Sequence, residues 1–115
     1  MTDPCIFCRI IRNEIESKIV FSDEQVVAIR DIHPVAPTHI LIMPRTHIPS
    51  VNQLEPADGA LIGHMFLIAR ELAAKENIHE TGYRIIVNTG ADGGQTIDHM
   101  HLHLIGGERM KHPMG

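Results

Sequence analysis

Apolar and polar residues alternate most strictly in "DHMHLHLIGG", residues 98–107, where Met100, Leu102 and Leu104 interleave with His99, His101 and His103. A period of two belongs to a half-buried β-strand, whose successive side chains point to opposite faces. The three imidazoles are therefore expected on one face. The same period shapes "THILIMP", with Ile40 and Ile42 on one side and His39, Leu41 and Met43 on the other. Two β-branched runs, "KIVFS" and "QVVAIRDI", read as an antiparallel hairpin around "SDE", with Asp31 at its exit. "GYRIIVN" forms a fourth strand, and the glycine-rich "TGADGGQT" joins it to the histidine run as a fifth.

Elsewhere the period lengthens to that of a helix. Phe7, Ile10 and Ile11 in "FCRIIRNEI" predict a short N-terminal helix that ends near Asn13. From Pro56 to about Asn77, Leu61, Met65, Ile68 and Leu72 mark one face of a long helix, with Pro56 suited to its first turn. Ile62, Phe66, Ala69 and Ala73 add a second apolar stripe, more than one sheet can cover, and so predict a self-associating surface. Strands that follow one another through short turns, with one long helix, give an α+β class: an antiparallel five-stranded sheet carrying the long helix and a short N-terminal one. There is no internal repeat, linker or low-complexity segment, and residues 1–115 are expected to form a single domain.

Composition narrows the function classes. The chain is 43% hydrophobic and 21% charged, enough for a core at 115 residues. A net charge of -4, three Phe, one Tyr and no Trp supply neither a basic patch nor stacking platforms, so a nucleic acid polymer is not an expected partner. No apolar run approaches the roughly 18 residues of a membrane span, and "MTDPCIFCRI" lacks a basic segment followed by an apolar core. No membrane association is expected, and a cytoplasmic location is. The only cysteines form one Cys5-x-x-Cys8, which is not a disulfide framework.

Position matters more than number for the nine histidines. His64 on the helix reads as a hydrogen-bonded core residue, His33 and His79 as turn residues, and His112 as solvated. Three rings on one strand face would spoil a core unless each found a partner, so the triad is read as functional. Alternate strand positions lie about 6.6 Å apart, which puts His99 and His103 about 13 Å apart at Cα and makes one ion shared by all three poor geometry. Cys5-x-x-Cys8 is compatible with a redox pair, half a zinc site, or two small apolar residues. Nothing before it resembles the strand of a thioredoxin-like motif, and zinc would need two further ligands from among His39, His47, His99, His101 and His103. "TGADGGQT" offers backbone N–H groups and the Thr96 hydroxyl to an anionic phosphate, but it also suits an ordinary connection.

"HMHLHLI" has the His-x-His-x-His-x-x form, with apolar residues at each x, of the histidine triad (HIT) superfamily of nucleotide hydrolases and transferases. "CIFCRII", "DIHPVAPTHILIMPRTHI", "YRIIVNTGADGGQT" and the "IGG" after the triad extend the resemblance over most of the chain. The chain most resembles the branch of purine nucleoside phosphoramidases, which are homodimers with a sheet continuing across two subunits. The resemblance implies a HIT-like fold and hydrolysis of purine nucleoside 5′-phosphoramidates, or related adenylated compounds, to the nucleoside monophosphate. It implies His101 as the nucleophile that holds the nucleotidyl group, His103 as a stabiliser of phosphate charge, His39 as an orienting residue, and Thr96 as a donor to the leaving group. Asn88, Gly94, Gln95 and Thr96 match phosphate and ribose contacts, Asp31 matches the carboxylate that accepts from the ribose hydroxyls, and Phe7, Ile10 and Ile32 match the base pocket.

Relatives with Cys-x-x-Cys imply a structural zinc held by Cys5, Cys8, His47 and His99. Two departures stand out. Asp98 precedes the triad where relatives more often have a less polar residue, and "GERMKHPMG" lacks a tryptophan that some relatives place near the partner subunit's site. Two other readings keep nucleotide recognition but change the outcome. One is a dinucleoside polyphosphate hydrolase or nucleotidyltransferase of the same fold. The other is a nucleotide-binding regulatory protein with incidental turnover.

Overall fold

The computed structural model describes residues 4–114; residues 1–3 and 115 lie outside the described residues. The chain opens with α1 (Ile6–Ile11), whose first turn is capped by the Cys8 N–H donating to Cys5 Sγ at 3.4 Å. Asn13, at φ 59°, turns the chain out of the helix. β1 (Ile19–Ser22) and β2 (Val26–Arg30) form the expected hairpin, and its turn is held by Asp23 Oδ1, which accepts from the Gln25 and Val26 N–H groups, each at 2.8 Å. β3 (Thr38–Pro44) follows. A single 3₁₀ turn at Pro56–Asp58 leads into α2 (Gly59–Lys75), and β4 (Tyr83–Ile86) and β5 (Leu102–Gly106) complete the chain.

The five strands pair antiparallel in the order β1-β2-β3-β5-β4. On one face, Met65, Ile68, Ala69, Leu72 and Ala73 of α2 pack on Val26, Ala28, Ile40, Ile42, Leu102 and Leu104. On the other, Phe7 and Ile10 of α1 cover Val27, Ile29, Leu41 and Met43. A sheet covered on both faces explains why all seven residues of β3 are buried. A bidentate pair, with Arg30 Nη1 and Nη2 donating to the two Glu76 carboxylate oxygens at 2.6 and 2.9 Å, ties β2 to the end of α2. No helix among the described residues is long and apolar enough to cross a membrane.

Two expectations need correction. The second apolar stripe of α2 divides: Ala69 and Ala73 are buried in the core, Ile62 is half-buried, and Phe66 remains 44% exposed. The histidine run is also not strand throughout, because β5 begins only at Leu102. Its last ladder pair with β3 is Ile42 with Leu102. Beyond that pair, the Pro44 carbonyl takes a side chain, the ring of His99, and the Met100 N–H turns to the Ile48 carbonyl at 2.7 Å. His99 and His101 therefore precede the strand in irregular backbone that is nonetheless buried.

Candidate functional site

The side chains before and within β5 collect on the α1 side of the sheet. β3–β5 pairing sets Leu41 opposite His103 and His39 opposite Ile105, and directly opposed residues share a face. Phe7 approaches both His99 and His101 edge-on, with ring centroids 5.8 and 4.9 Å apart, and the His101 and His103 centroids are 4.9 Å apart. The expectation of one face for the three rings agrees with these contacts. Their hydrogen bonds differ, and those bonds determine which nitrogen of each ring carries the proton.

His99 Nε2 lies 2.7 Å from the Pro44 carbonyl oxygen. That oxygen can only accept, so Nε2 holds the proton and Nδ1 presents a lone pair. Nδ1 of His99 lies 3.4 Å from Cys5 Sγ, 3.6 Å from Cys8 Sγ and 3.2 Å from His47 Nδ1, and Cys8 Sγ lies 3.3 Å from His47 Nδ1. All four ligand atoms fall within 4.8 Å of one another. Ligand bonds of about 2.0–2.3 Å in a tetrahedron give neighbouring donors about 3.3–3.8 Å apart, so two sulfurs and two imidazole nitrogens at these spacings fit such an ion. The His99 bond to Pro44 is the outer hydrogen bond that fixes a metal-binding imidazole. These four residues could hold a metal.

His101 is arranged in the opposite sense. Its Nδ1 lies 2.7 Å from the His99 carbonyl oxygen and therefore donates to it, leaving the lone pair on Nε2. Burial, the largest cause, holds His101 below the ordinary imidazole pKa; the bond to the His99 carbonyl opposes this. The ring is neutral and nucleophilic at neutral pH.

Asp31, His39 and His103 form a second group of potential ligands within 4.8 Å. The protons argue for a hydrogen-bonded chain here. The Val35 N–H donates to His39 Nδ1 at 3.2 Å, so the His39 proton is on Nε2. His39 Nε2 then donates to His103 Nδ1 at 2.9 Å, with Asp31 Oδ2 3.4 Å away. A metal at Nε2 would have to displace that proton toward Nδ1, where the Val35 N–H already points. His103, accepting at Nδ1, presents Nε2–H. Burial first, then the neighbouring His101 and His39, push the His103 pKa down to about 4, and burial lowers that of His39 as well.

A cavity of about 360 Å³ beneath α1 is lined by Phe7, Ile10, Asp31, Ile32, Thr96 and Ile97, among others. It brings together the residues expected for base and ribose. Ile32 is 82% exposed and stands at the rim. Asp31 Oδ1 accepts from the His33 N–H at 2.8 Å, which orients the carboxylate. The 89–96 loop is organised by its own side chains: Asn88 Nδ2 donates to the Gly93 carbonyl at 2.7 Å, while Gln95 accepts from the Gly90 N–H and donates to the Pro49 and Ile97 carbonyls. Asn88 and Gln95 are thus committed to the loop, in which the Gly94 and Gln95 N–H groups also donate to the Ala91 and Gly90 carbonyls, while Thr96 is exposed. Gly94 sits at φ 82°, and a Cβ at Gly93 would stand 2.2 Å from the Thr89 carbonyl oxygen.

Reasoning from the sequence missed the Pro44 and His99 carbonyls and the Val35 N–H. Backbone groups carry no residue-type signal. Of the other histidines, His64 is hydrogen-bonded as expected, from α2 to the Asp23 carboxylate of the β1–β2 turn at 2.6 Å, but it is half-buried and not a core residue, and His33, His79 and His112 are exposed.

Comparison with known proteins follows the same lines. The chain is 49% identical over 107 residues to a purine nucleoside phosphoramidase of Escherichia coli (strain K12), spanning 93% of this chain and 90% of that one. It superposes on a HIT family hydrolase from Legionella pneumophila with a TM-score of 0.94 at 43% identity, over 96% of this chain and 99% of that one. A histidine triad protein from Clostridium difficile gives a TM-score of 0.92 at 35% identity, over 99% of this chain and 100% of that one. The HIT domain model matches residues 12–110, and with it the chain belongs to the HIT domain family.

Proposed function

We propose that this HIT hydrolase cleaves the P–N bond of purine nucleoside 5′-phosphoramidates, releasing the nucleoside monophosphate and an amine. The observation that carries the reading is the opposed pair of proton positions. His101 is held with its lone pair on Nε2, and beside it His103 is held with a proton on Nε2. A nucleophile and a hydrogen-bond donor to phosphate are therefore in place before substrate arrives. The E. coli relative named for this activity supports the choice of reaction.

In the first step His101 Nε2 attacks the α-phosphorus, a P–N bond to the ring forms, and the P–N bond to the leaving group breaks. The departing nitrogen takes a proton through the Thr96 hydroxyl, which recovers one from solvent. Water then attacks phosphorus, the bond to Nε2 breaks, a proton returns to solvent, and the ring regains its lone pair. His103 Nε2–H donates to the phosphate oxygens through both steps, and His39 keeps that proton in place through the bond to His103 Nδ1. Asp31 accepts from the ribose hydroxyls, Asn88, Gly94 and Gln95 hold the shape of the loop that lies against the phosphate and presents Thr96, and Phe7, Ile10 and Ile32 hold the base.

We assign zinc to Cys5, Cys8, His47 and His99, four residues that would hold it and through it cross-link the start of α1, the segment after β3 and the turn before β5. The protein is assigned as a cytoplasmic homodimer. The exposed Phe66, 44%, and Leu67, 50%, on α2 support self-association. The activity test is release of AMP from adenosine 5′-phosphoramidate. Protein quenched in alkali, where a histidine P–N bond survives, should carry an adenylylated histidine, absent in His101→Ala; turnover retained in that variant refutes the mechanism. Zinc content and light scattering test the other two assignments.

A further inference from the structure

The nucleoside cavity beneath α1 has a neighbour. Ile6, Thr96 and Ile97 line both it and a second cavity of about 360 Å³, whose wall also includes Cys5, His47 and Asp98. Thr96, His47 and Asp98 are exposed, so this second cavity opens to solvent. Cys5 is half-buried in its wall, whereas Cys8 is buried and does not line it. A small molecule that enters from solvent therefore meets the Cys5 sulfur first. Cys8 Sγ is within 4.8 Å of Cys5 Sγ, and the two residues belong to one helical turn, since Cys5 caps α1 and accepts from the Cys8 N–H.

What lies between the two cysteines gives this pair its consequence. Ile6 and Phe7 both line the nucleoside cavity, and Phe7 meets His101 edge-on, with 4.9 Å between ring centroids. With free thiols, Cys5 Sγ lies 3.4 Å from His99 Nδ1 and Cys8 Sγ 3.3 Å from His47 Nδ1, contacts that tie this turn to the segments beneath it. Only a thiolate is a metal ligand, so a sulfur bonded to another sulfur serves neither a metal nor these ties. The turn would then rest on the apolar contacts of Phe7 and Ile10 with Val27, Ile29, Leu41 and Met43.

We propose that Cys5 and Cys8 are a modification site for hydroperoxides, and that the disulfide formed there loosens the nucleoside cavity and lowers nucleotide affinity. First the Cys5 sulfur attacks the hydroperoxide. The O–O bond breaks, the hydroxyl passes to sulfur as a sulfenic acid, and the other oxygen leaves with the thiol proton, as an alcohol or, from hydrogen peroxide, as water. The Cys8 sulfur then attacks Cys5; the S–S bond forms, the S–O bond breaks, and the hydroxyl departs as water with the Cys8 proton. Together the two sulfurs lose two electrons and the peroxide gains them. An added dithiol reverses the change by exchange. The oxidation stands apart from the phosphoramidase reading, while the loss of affinity rests on the nucleotide site of that reading.

The test treats the wild-type protein with hydrogen peroxide and then with dithiothreitol. Peptide mapping should show a Cys5–Cys8 bridge that dithiothreitol removes, with zinc content falling as the bridge forms. Reversal separates the thiols from the exposed Met114, whose sulfoxide dithiothreitol leaves in place. The Kd for AMP, read by calorimetry, should rise by about fivefold in the bridged protein, the effect of one net hydrogen bond, and recover on reduction. Without nucleotide, the Cε1–Hε1 signal of His101 should shift on oxidation and return. In Cys8→Ser the reaction should stop at a sulfenic acid on Cys5, trapped by dimedone, and Cys5→Ser should react far more slowly. Absence of the bridge in peroxide-treated wild-type protein, or a bridge that leaves both the AMP affinity and the His101 signal unchanged, overturns the proposal. Absence of AMP binding by the reduced protein counts against the phosphoramidase reading alone, and the bridge and the His101 signal still decide this one.

Discussion

At pH 6 an imidazole with the ordinary pKa of about 6.5 is about three-quarters protonated, whereas one with a pKa of about 4 is only about 1% protonated. His103 belongs to the second class, pushed down to about 4 chiefly by burial, then by His101 and His39, with Asp31 opposing. The arrangement needs it there. A proton on His103 Nδ1 would face the His39 Nε2–H across 2.9 Å, break that bond, and set a cation beside His101. His39→Gln removes one of the two neighbouring rings that oppose the charge, and a Gln amide can still donate to Nδ1. The His103 pKa should therefore rise above 4 yet stay below 6.5, because burial remains.

The direct assay is a proton–carbon correlation titration of the imidazole Cε1–Hε1 signals between pH 3.5 and 8, assigned with His103→Gln. Folding stability gives an independent sign. Between about 4 and 6.5 the unfolded chain binds the proton that folded His103 refuses, so stability rises with pH across that window. It is complete above 6.5 and is lost progressively as pH falls from 6.5 toward 4. The reasoning is refuted if His103 titrates at or above 6.5 in the folded protein, or if His39→Gln lowers its value.

Three further perturbations test other parts of the structure. Cys8→Ser should abolish stoichiometric zinc and lower Tm, read by elemental analysis and calorimetry; full zinc content in the variant would reject the four-ligand assignment. Glu76→Gln breaks the bidentate bond to Arg30 at a partly exposed site and should cost about 1 kcal/mol, or about 4 °C in Tm. Because Arg30 holds the Glu76 carboxyl below its usual range, the wild-type advantage should be full above about pH 4.5 and shrink as pH falls further, through the lowered folded value. Gly93→Ala forces a Cβ to within 2.2 Å of the Thr89 carbonyl, which is backbone and cannot swing aside, so the loop must open. KM for the phosphoramidate should rise by about tenfold, with the far-ultraviolet dichroism unchanged.

Much of the fold was legible because its strands carry their own punctuation. β3 is bounded where expected, Thr38–Pro44, since Pro37 and Pro44 flank a run whose two faces both meet a core. The hairpin was readable from Asp23, whose side chain does what a turn aspartate does. The start of β5 was not legible, because alternation is preserved through His99 and Met100 while the hydrogen-bonding partner has already run out at Pro44. The second stripe of α2 was legible only as a surplus: periodicity counts Ala and Phe alike, whereas the structure buries Ala69 and Ala73 and leaves Phe66 exposed.

The triad shows where sequence pattern stops and structure begins. Three histidines at equal spacing are chemically the same in the sequence, and the backbone makes them different. The Pro44 carbonyl claims Nε2 of His99, so that ring can offer only Nδ1 to the cysteines. The His99 carbonyl claims Nδ1 of His101, so that ring can offer only Nε2. One residue thus lends its side chain to the group formed with Cys5, Cys8 and His47 and its carbonyl to the neighbouring ring, which couples the two sites through a single peptide unit. His39 claims Nδ1 of His103, so the third ring offers a proton where the second offers a lone pair. A substitution that spares all three rings but moves any of these partners should therefore alter the chemistry as surely as the loss of a ring.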